Sequence, residues 1–356
     1  VHLKLSSRAL VTGVGSLPYQ VAAPALDLIW QNASGIPHWP QLPKAGADEG
    51  FSVQYLQALV KLGMVQTENG LYFDIAAPEW VDRVTDFYSL YLEALEGNQA
   101  ALDKFAFPVE AARGFYGFVH DLAEKGVRQA VYLKGQLSGP LTVGFQLTSP
   151  DKRACYYDPQ LRDILVKNLS LHGIWQVKSL NGFGLPVIMI VDDPGLYAYG
   201  LSSHVTLDRQ EIISSLDEIY TAIKAEGASV GAHVCAGMDW TLLFDTQVDI
   251  VNFDAYEYFD SMKVYPQHLR SFLERGGVLS WGIVPTSQKI LSETADSLLQ
   301  RFEGYLIELE DRGVPRSLVL DQSMFTPSCG TGTLSPDLAE QIYRTLSEFG
   351  LLAKKL

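Results

Sequence analysis

PVIMIV, residues 186–191, is apolar at every position. A strand with one face in water alternates apolar and polar residues. One that does not alternate is covered on both faces, as in a parallel sheet packed between helices. The pattern repeats on either side of this stretch. Upstream, residues 158–181 read as a long helix and 130–137 as the strand before it. Downstream come a helix at 208–226, a strand at 229–235 (SVGAHVC) and a short helix after Asp239. A strand at 250–256 and a helix at 261–275 follow, then a strand at 278–283 and a helix at 287–312. A last strand at 317–322 and a closing helix at 335–349 complete the run.

Toward the N-terminus, residues 9–16 (ALVTGVGS) read as strand one, with a helix at 22–31. Residues 36–42 (IPHWPQL) read as strand two, although their prolines cannot donate to a ladder. An insertion over 43–128 separates strands two and three. It carries a hairpin signal at Glu68-Asn69-Gly70-Leu71 and helical stretches at 78–95 and 109–125. Eight strand–helix units in one run predict a closed (β/α)8 TIM barrel, an α/β fold in which residues 1–356 form a single domain.

Of the 356 residues, 47% are hydrophobic and 19% charged, with a mean hydropathy of +0.06, which gives ample apolar mass for such a core. A net charge of −14 argues against nucleic acid as a partner. No run reaches the roughly 18 apolar residues of a membrane span, and residues 1–14 lack a signal-peptide pattern. Three widely spaced cysteines make no disulfide framework. These features lead to the expectation of a cytoplasmic protein with thiols kept reduced.

Barrel chemistry sits where strands end and βα loops begin. His233 and Cys235 close strand five, Glu257 follows strand six, and Cys329 follows strand eight in the loop TPSCGTG, residues 326–332. Residues two apart in a strand share a face, so His233 and Cys235 can grip one ion. An imidazole, two thiolates and a carboxylate make a complete tetrahedral set for Zn2+. Cys155 has no comparable setting and reads as structural.

Gly13-Val14-Gly15-Ser16 lacks the third glycine of a dinucleotide fingerprint, since Pro18 and Tyr19 occupy that region. Its tight turn instead offers backbone N–H groups to an anionic group, such as a carboxylate. Asp192-Asp193-Pro194 closes strand four, and only one of the acids can point into the mouth. Asp192 is expected there, holding a substrate ammonium, and Asp193 reads equally well as a turn or helix cap. Trp39, Tyr197 and Trp281 are candidate pocket aromatics.

VGSLP (14–18), VDDPGL (191–196), HVC (233–235) and PSCG (327–330), with Glu257 after the His-x-Cys strand, resemble the catalytic barrel of cobalamin-independent methionine synthase. That barrel shares a superfamily with uroporphyrinogen decarboxylase and the methylcobamide:coenzyme M methyltransferases. The resemblance runs in order along nearly the whole chain. It implies that His233, Cys235, Glu257 and Cys329 hold zinc, and that Asp192 and the Gly15–Ser16 backbone hold homocysteine.

Two departures follow. The chain has no room for the additional N-terminal barrel, and residues 281–286 contain no counterpart of the family's proton-donating His after strand seven. Without that donor, methylcobalamin or a methylated corrinoid protein becomes a better methyl source than methyltetrahydrofolate. The family's glutamate after strand two has Gln41 and Glu49 as nearest counterparts. The expected function is a zinc-dependent methyltransferase acting on a small thiol, most plausibly homocysteine. Alternatives are coenzyme M as the thiol, tetrapyrrole decarboxylation, or non-catalytic zinc or corrinoid binding.

Overall fold

Each β-branched run forms a parallel strand, and the outward and inward residues of these strands pack against different things. The computed structural model describes residues 8–68, 70–204 and 206–356. Its main strands are β1 (Leu10–Val11), β4 (Leu133–Ser138), β5 (Val187–Asp192), β6 (Ser229–Val234), β7 (Ile250–Phe253), β8 (Val278–Val284) and β9 (Ser323–Pro327). They form one curled, seven-stranded, all-parallel sheet in the order β1-β9-β8-β7-β6-β5-β4. Outward residues such as Val187, Met189, Val191, Val230, Val251 and Leu279 join the helices in one large apolar cluster. Inward residues Leu10, Ile188, Ile190, Ile250, Val278 and Met324 form a second, separate cluster with Ile36 and Tyr132.

That second cluster is a floor. Moving toward the C-terminal ends of the strands, the inward positions turn polar, with Thr12, Lys134, Gln136, Ser138, Asp192, His233, Asn252, Ser280 and Thr326 all buried. The register explains the ring: Ser138 pairs with Asp192, Asp192 with His233, His233 with Asn252, and Asn252 with Ser280.

Residues 36–42 do not form a regular strand, because Pro37 and Pro40 remove ladder donors. The segment still bridges both edges of the sheet. Ser16 pairs with Gln41 and His38 with Lys134, through Leu17 N to Gln41 O (2.9 Å), Gln41 N to Gly15 O (3.1 Å) and Lys134 N to Pro37 O (3.0 Å).

Several predicted bounds shift. The last strand is not 317–322: Arg316–Asp321 is a short helix started by Pro315, and the strand is Ser323–Pro327. The helix expected at 261–275 is two, Ala255–Met262 and Pro266–Glu274, because Pro266 starts a new N-terminus. The strand expected over 250–256 stops at Phe253, where Asp254 caps the next helix. In the insertion, β2 (Val65–Gln66) and β3 (Tyr72–Phe73) pair antiparallel around the expected turn, whose Asn69 lies outside the described residues. The long helix Pro159–Asn181 forms as expected, its N-cap Asp158 accepting from Gln160 N and Leu161 N. Among the described residues no helix is long and apolar enough to cross a membrane.

The ends of β7, β8 and β9 approach so closely that only glycine fits at Gly282. A Cβ there would lie 2.6 Å from Phe253 O, 2.9 Å from Ser328 Cα and 3.2 Å from Asp254 Cα, all backbone atoms that cannot swing away. Gly282→Ala is therefore expected to cost about 1–3 kcal/mol, read as a lower urea midpoint with an unchanged slope. A midpoint equal to wild type would refute this account of the crowding.

Candidate metal centre

His233 lies on the last turn of the pleat of β6, pointing inward with Asp192 on one side and Asn252 on the other. Cys235 follows two residues later, just past the strand end. Cys329 reaches the same rim because its loop is tied at several points. Ser328 N donates to Val284 O (2.8 Å), Thr286 N to Ser328 Oγ (3.1 Å), and Thr331 N to Ser16 O (2.9 Å). As a result, one ligand atom each from His233, Cys235 and Cys329 lies within 4.8 Å of the other two. His233 is buried and both cysteines are half-buried, whereas Cys155 sits fully inside the apolar core.

The chemistry of this set suits a soft divalent cation. His233 Nδ1 is 2.5 Å from Asn252 Oδ1, while its Nε2 is buried with no hydrogen-bond partner among the described residues. A buried polar nitrogen without a partner is costly unless something coordinates it. Cys329 beside Cys235 holds the Cys235 thiol below the ordinary value, and Cys235 together with burial pushes Cys329 well up. Of the two sulfurs, Cys235 is the one whose thiolate form is favoured, and a bound cation would require both as thiolates. Burial alone would lower the His233 imidazole, but Cys329, Asp192 and Asn252 hold it above the ordinary histidine value. Three such ligands on a tetrahedral ion would leave a fourth position open.

The structure does not bring Glu257 into this cluster. It lies in the first turn of the helix Ala255–Met262, and its Oε1 accepts from Lys289 Nζ at 2.6 Å in an exposed ion pair. The carboxylate at the inward end of β7 is Asp254, which like Glu257 stands outside the three-residue cluster. It ends β7 on the inward face, caps that helix by accepting from Glu257 N (2.9 Å), and is buried. Burial, with Glu257 adding to it, raises its carboxyl to about 6, against the pull of His233. The signal was available in spacing: Asp254 sits two residues beyond Asn252, on the face His233 and Cys235 share.

Asp192 lies where expected, at the end of β5 beside the cluster. Burial raises its carboxyl to about 6, only partly opposed by His233 and Lys134, and Oδ1 has no hydrogen-bond partner among the described residues. Lys134, also buried and lowered to about 8 by that burial, donates to Val14 O (2.7 Å) and Gln136 Oε1 (3.2 Å). Asp193 points the other way as a cap, accepting from Leu141 N (3.1 Å), Thr142 N (2.7 Å) and Thr142 Oγ1 (2.6 Å).

The Gly15–Ser16 turn and the Cys329 loop form one unit. Ser16 O accepts from Thr331 N and from Thr331 Oγ1 (3.0 Å), Ser16 Oγ accepts from Gly332 N (3.2 Å), and a Cβ on Gly330 would strike Ser16 Oγ at 2.2 Å. Gln41 and Glu49 are structural. Gln41 Nε2 donates to Gln54 Oε1 (2.9 Å), and the buried Glu49 accepts from Arg113 N (3.2 Å) and Leu42 N (3.3 Å). Trp39 and Trp281 are fully buried rather than pocket walls: Trp281 points outward, its Nε1 donating to Ser323 Oγ (2.8 Å). Tyr197 is exposed on the loop after β5.

In metal-free protein the three cysteines should alkylate in a fixed order: Cys235 first, Cys329 after it, and Cys155 only on unfolding. Peptide mapping after timed iodoacetamide treatment checks this, and early labelling of Cys155 or of Cys329 would contradict the geometry. In comparison with known proteins, no family model and no curated protein matches the chain.

Proposed function

We propose that this protein is a zinc-dependent methyltransferase that methylates a small amino-acid thiol, homocysteine, with a methylcorrinoid as donor. The observation that carries the reading is the convergence of His233, Cys235 and Cys329 within 4.8 Å at the rim, next to Asp192, whose Oδ1 has no hydrogen-bond partner among the described residues. The reading takes residues 36–42, which bridge β1 and β4, as the eighth stave of a (β/α)8 barrel.

His233, Cys235 and Cys329 would hold the metal, with Asp254, on the inward face they share, a candidate carboxylate ligand beside the Glu257 expected from sequence. Zinc held by these residues would supply a Lewis acid that lowers the pKa of a substrate thiol and makes its sulfur nucleophilic near neutral pH. Asp192, as the anion, accepts from the substrate ammonium and turns the thiol toward the two cysteines. The Gly15–Ser16 backbone receives the carboxylate, with the Lys134 cation bound to the adjacent Val14 carbonyl. The thiol proton leaves to solvent, the sulfur lone pair forms the new S–CH3 bond, and the electrons of the broken bond to methyl depart with the donor. A corrinoid leaving group needs no proton, which agrees with the lack of a histidine in residues 281–286.

Metal analysis should find about one zinc per chain, lost in Cys235→Ser and Cys329→Ser. Asp254→Asn should weaken it more than Glu257→Gln, and zinc unaffected by either cysteine change would sink the reading. Methionine should form from homocysteine with methylcobalamin faster than with methyltetrahydrofolate, and coenzyme M should be the poorer acceptor.

Asp192→Asn should raise KM for homocysteine about ten- to a hundredfold, the worth of one charged hydrogen bond of ~1.5–3 kcal/mol. Because burial places the Asp192 carboxyl at about 6, kcat/KM should fall as pH drops through that value. A wild-type profile flat down to the ordinary aspartate range would rule out an ionised Asp192 as the ammonium partner.

A further inference from the structure

We infer that Asn252 is a positioning residue for the metal centre: it fixes His233 as the Nδ1–H tautomer and so leaves the Nε2 lone pair free for a cation. The inference rests on the reading of His233, Cys235 and Cys329 as metal ligands, and it adds a residue to which neither sequence pattern nor composition pointed.

The argument turns on which end of the Asn252 amide faces which neighbour. Asn252 is buried at the middle of the inward face of β7, with His233 on one side and Ser280 on the other. Its Nδ2 contacts the Ser280 backbone carbonyl at 2.8 Å, Ser280 Oγ at 3.0 Å and Thr326 Oγ1 at 2.8 Å. A hydroxyl can donate or accept, but a backbone carbonyl can only accept. The Ser280 carbonyl therefore demands the NH2 end, and a flipped amide would set oxygen against oxygen. The amide oxygen must then face His233 Nδ1, which is 2.5 Å away.

An amide oxygen only accepts, so Nδ1 carries the proton. In the neutral ring that leaves Nε2 with its lone pair, and Nε2 is the buried ring nitrogen with no partner among the described residues. Three neighbouring strands thus act through one amide on one proton: β8 and β9 anchor Asn252, and Asn252 orients the ring on β6. A metal-ligating histidine commonly donates its other N–H to a fixed acceptor, and loss of that acceptor weakens metal binding.

The test compares wild type with Asn252→Leu, which is similar in size and cannot accept, and Asn252→Asp, which still can. Two-bond 1H–15N spectra of metal-free, 15N-histidine-labelled protein at alkaline pH report the His233 tautomer, assigned by the loss of its signals in His233→Gln. Zinc affinity is read by chelator competition.

Wild type should show Nδ1–H, Asn252→Leu should lose that signature and bind zinc about 10–100-fold more weakly, and Asn252→Asp should retain both. An Nε2–H tautomer in wild type overturns the inference, as does an Asn252→Leu protein with unchanged tautomer and zinc affinity. If Asn252→Leu does not fold, the wild-type spectrum and Asn252→Asp still decide. A wild type that shows Nδ1–H but takes up no zinc supports the tautomer assignment and overturns the metal reading instead.

Discussion

The parallel register that lines up Ser138, Asp192, His233, Asn252 and Ser280 is the constraint on which the rest depends. Side chains alternate across a strand, so a register that places one of these residues inward places all of them inward, at one height. A slip of one residue in β6 would send His233 into the helices and bring Val234 to the rim. The apolar floor of Ile188, Ile190, Ile250, Val278 and Met324 fixes the same inward phase in β5, β7, β8 and β9, the strands that flank β6 or continue the sheet beyond it. The floor thus does more than fill space. It holds the polar ring at the mouth, where the βα loops can add Cys235, Asp254 and Cys329.

That ring is poorly compensated for a protein interior. Asp192 and Lys134 are fully enclosed and sit opposite in charge, yet burial shifts each toward its neutral form. A buried ion pair repays its desolvation only when hydrogen bonds satisfy both partners. Lys134 has such bonds, to Val14 O and Gln136, but Asp192 Oδ1 has none among the described residues. Asp193, one residue away and equally buried, shows what full satisfaction looks like, with three donors from the turn at Leu141 and Thr142. The contrast separates a carboxylate used to build the fold from one left available to a ligand.

Much of this was legible in the sequence, and the limits have physical causes. Runs such as PVIMIV are apolar throughout, and their regular alternation with long helical stretches favours strands covered on both faces. The pairing of His233 with Cys235 needed only the two-residue repeat. RSLVLD, residues 316–321, misled because an apolar run of that length suits a short helix as well as a strand, and Pro315 favours the helix. Glu257 misled for a related reason. The strand was read as running to Tyr256, but Asp254 caps a helix there, and that carries Glu257 around the first turn to Lys289. Asn252 gave no signal at all, since its role lies in which atoms of Ser280 and Thr326 surround it.

Asp254 and Glu257 also differ in how firmly the fold holds them. The Glu257–Lys289 pair is exposed, and such pairs contribute at most about 1 kcal/mol, so little holds Glu257 where it is and little is lost if it moves. Asp254 is anchored by its capping bond and raised to about 6 by burial, as Asp192 is. A carboxyl whose folded pKa lies above its unfolded one favours folding in its protonated form. That contribution is complete below the ordinary aspartate value and is lost as pH rises through about 6. Above about pH 6 the fold therefore carries these two anions at a cost, beside the two cysteines. A divalent cation among His233, Cys235 and Cys329 would lower that cost for Asp254 and Asp192 alike, so the groups that burden the empty fold are the ones that favour filling it.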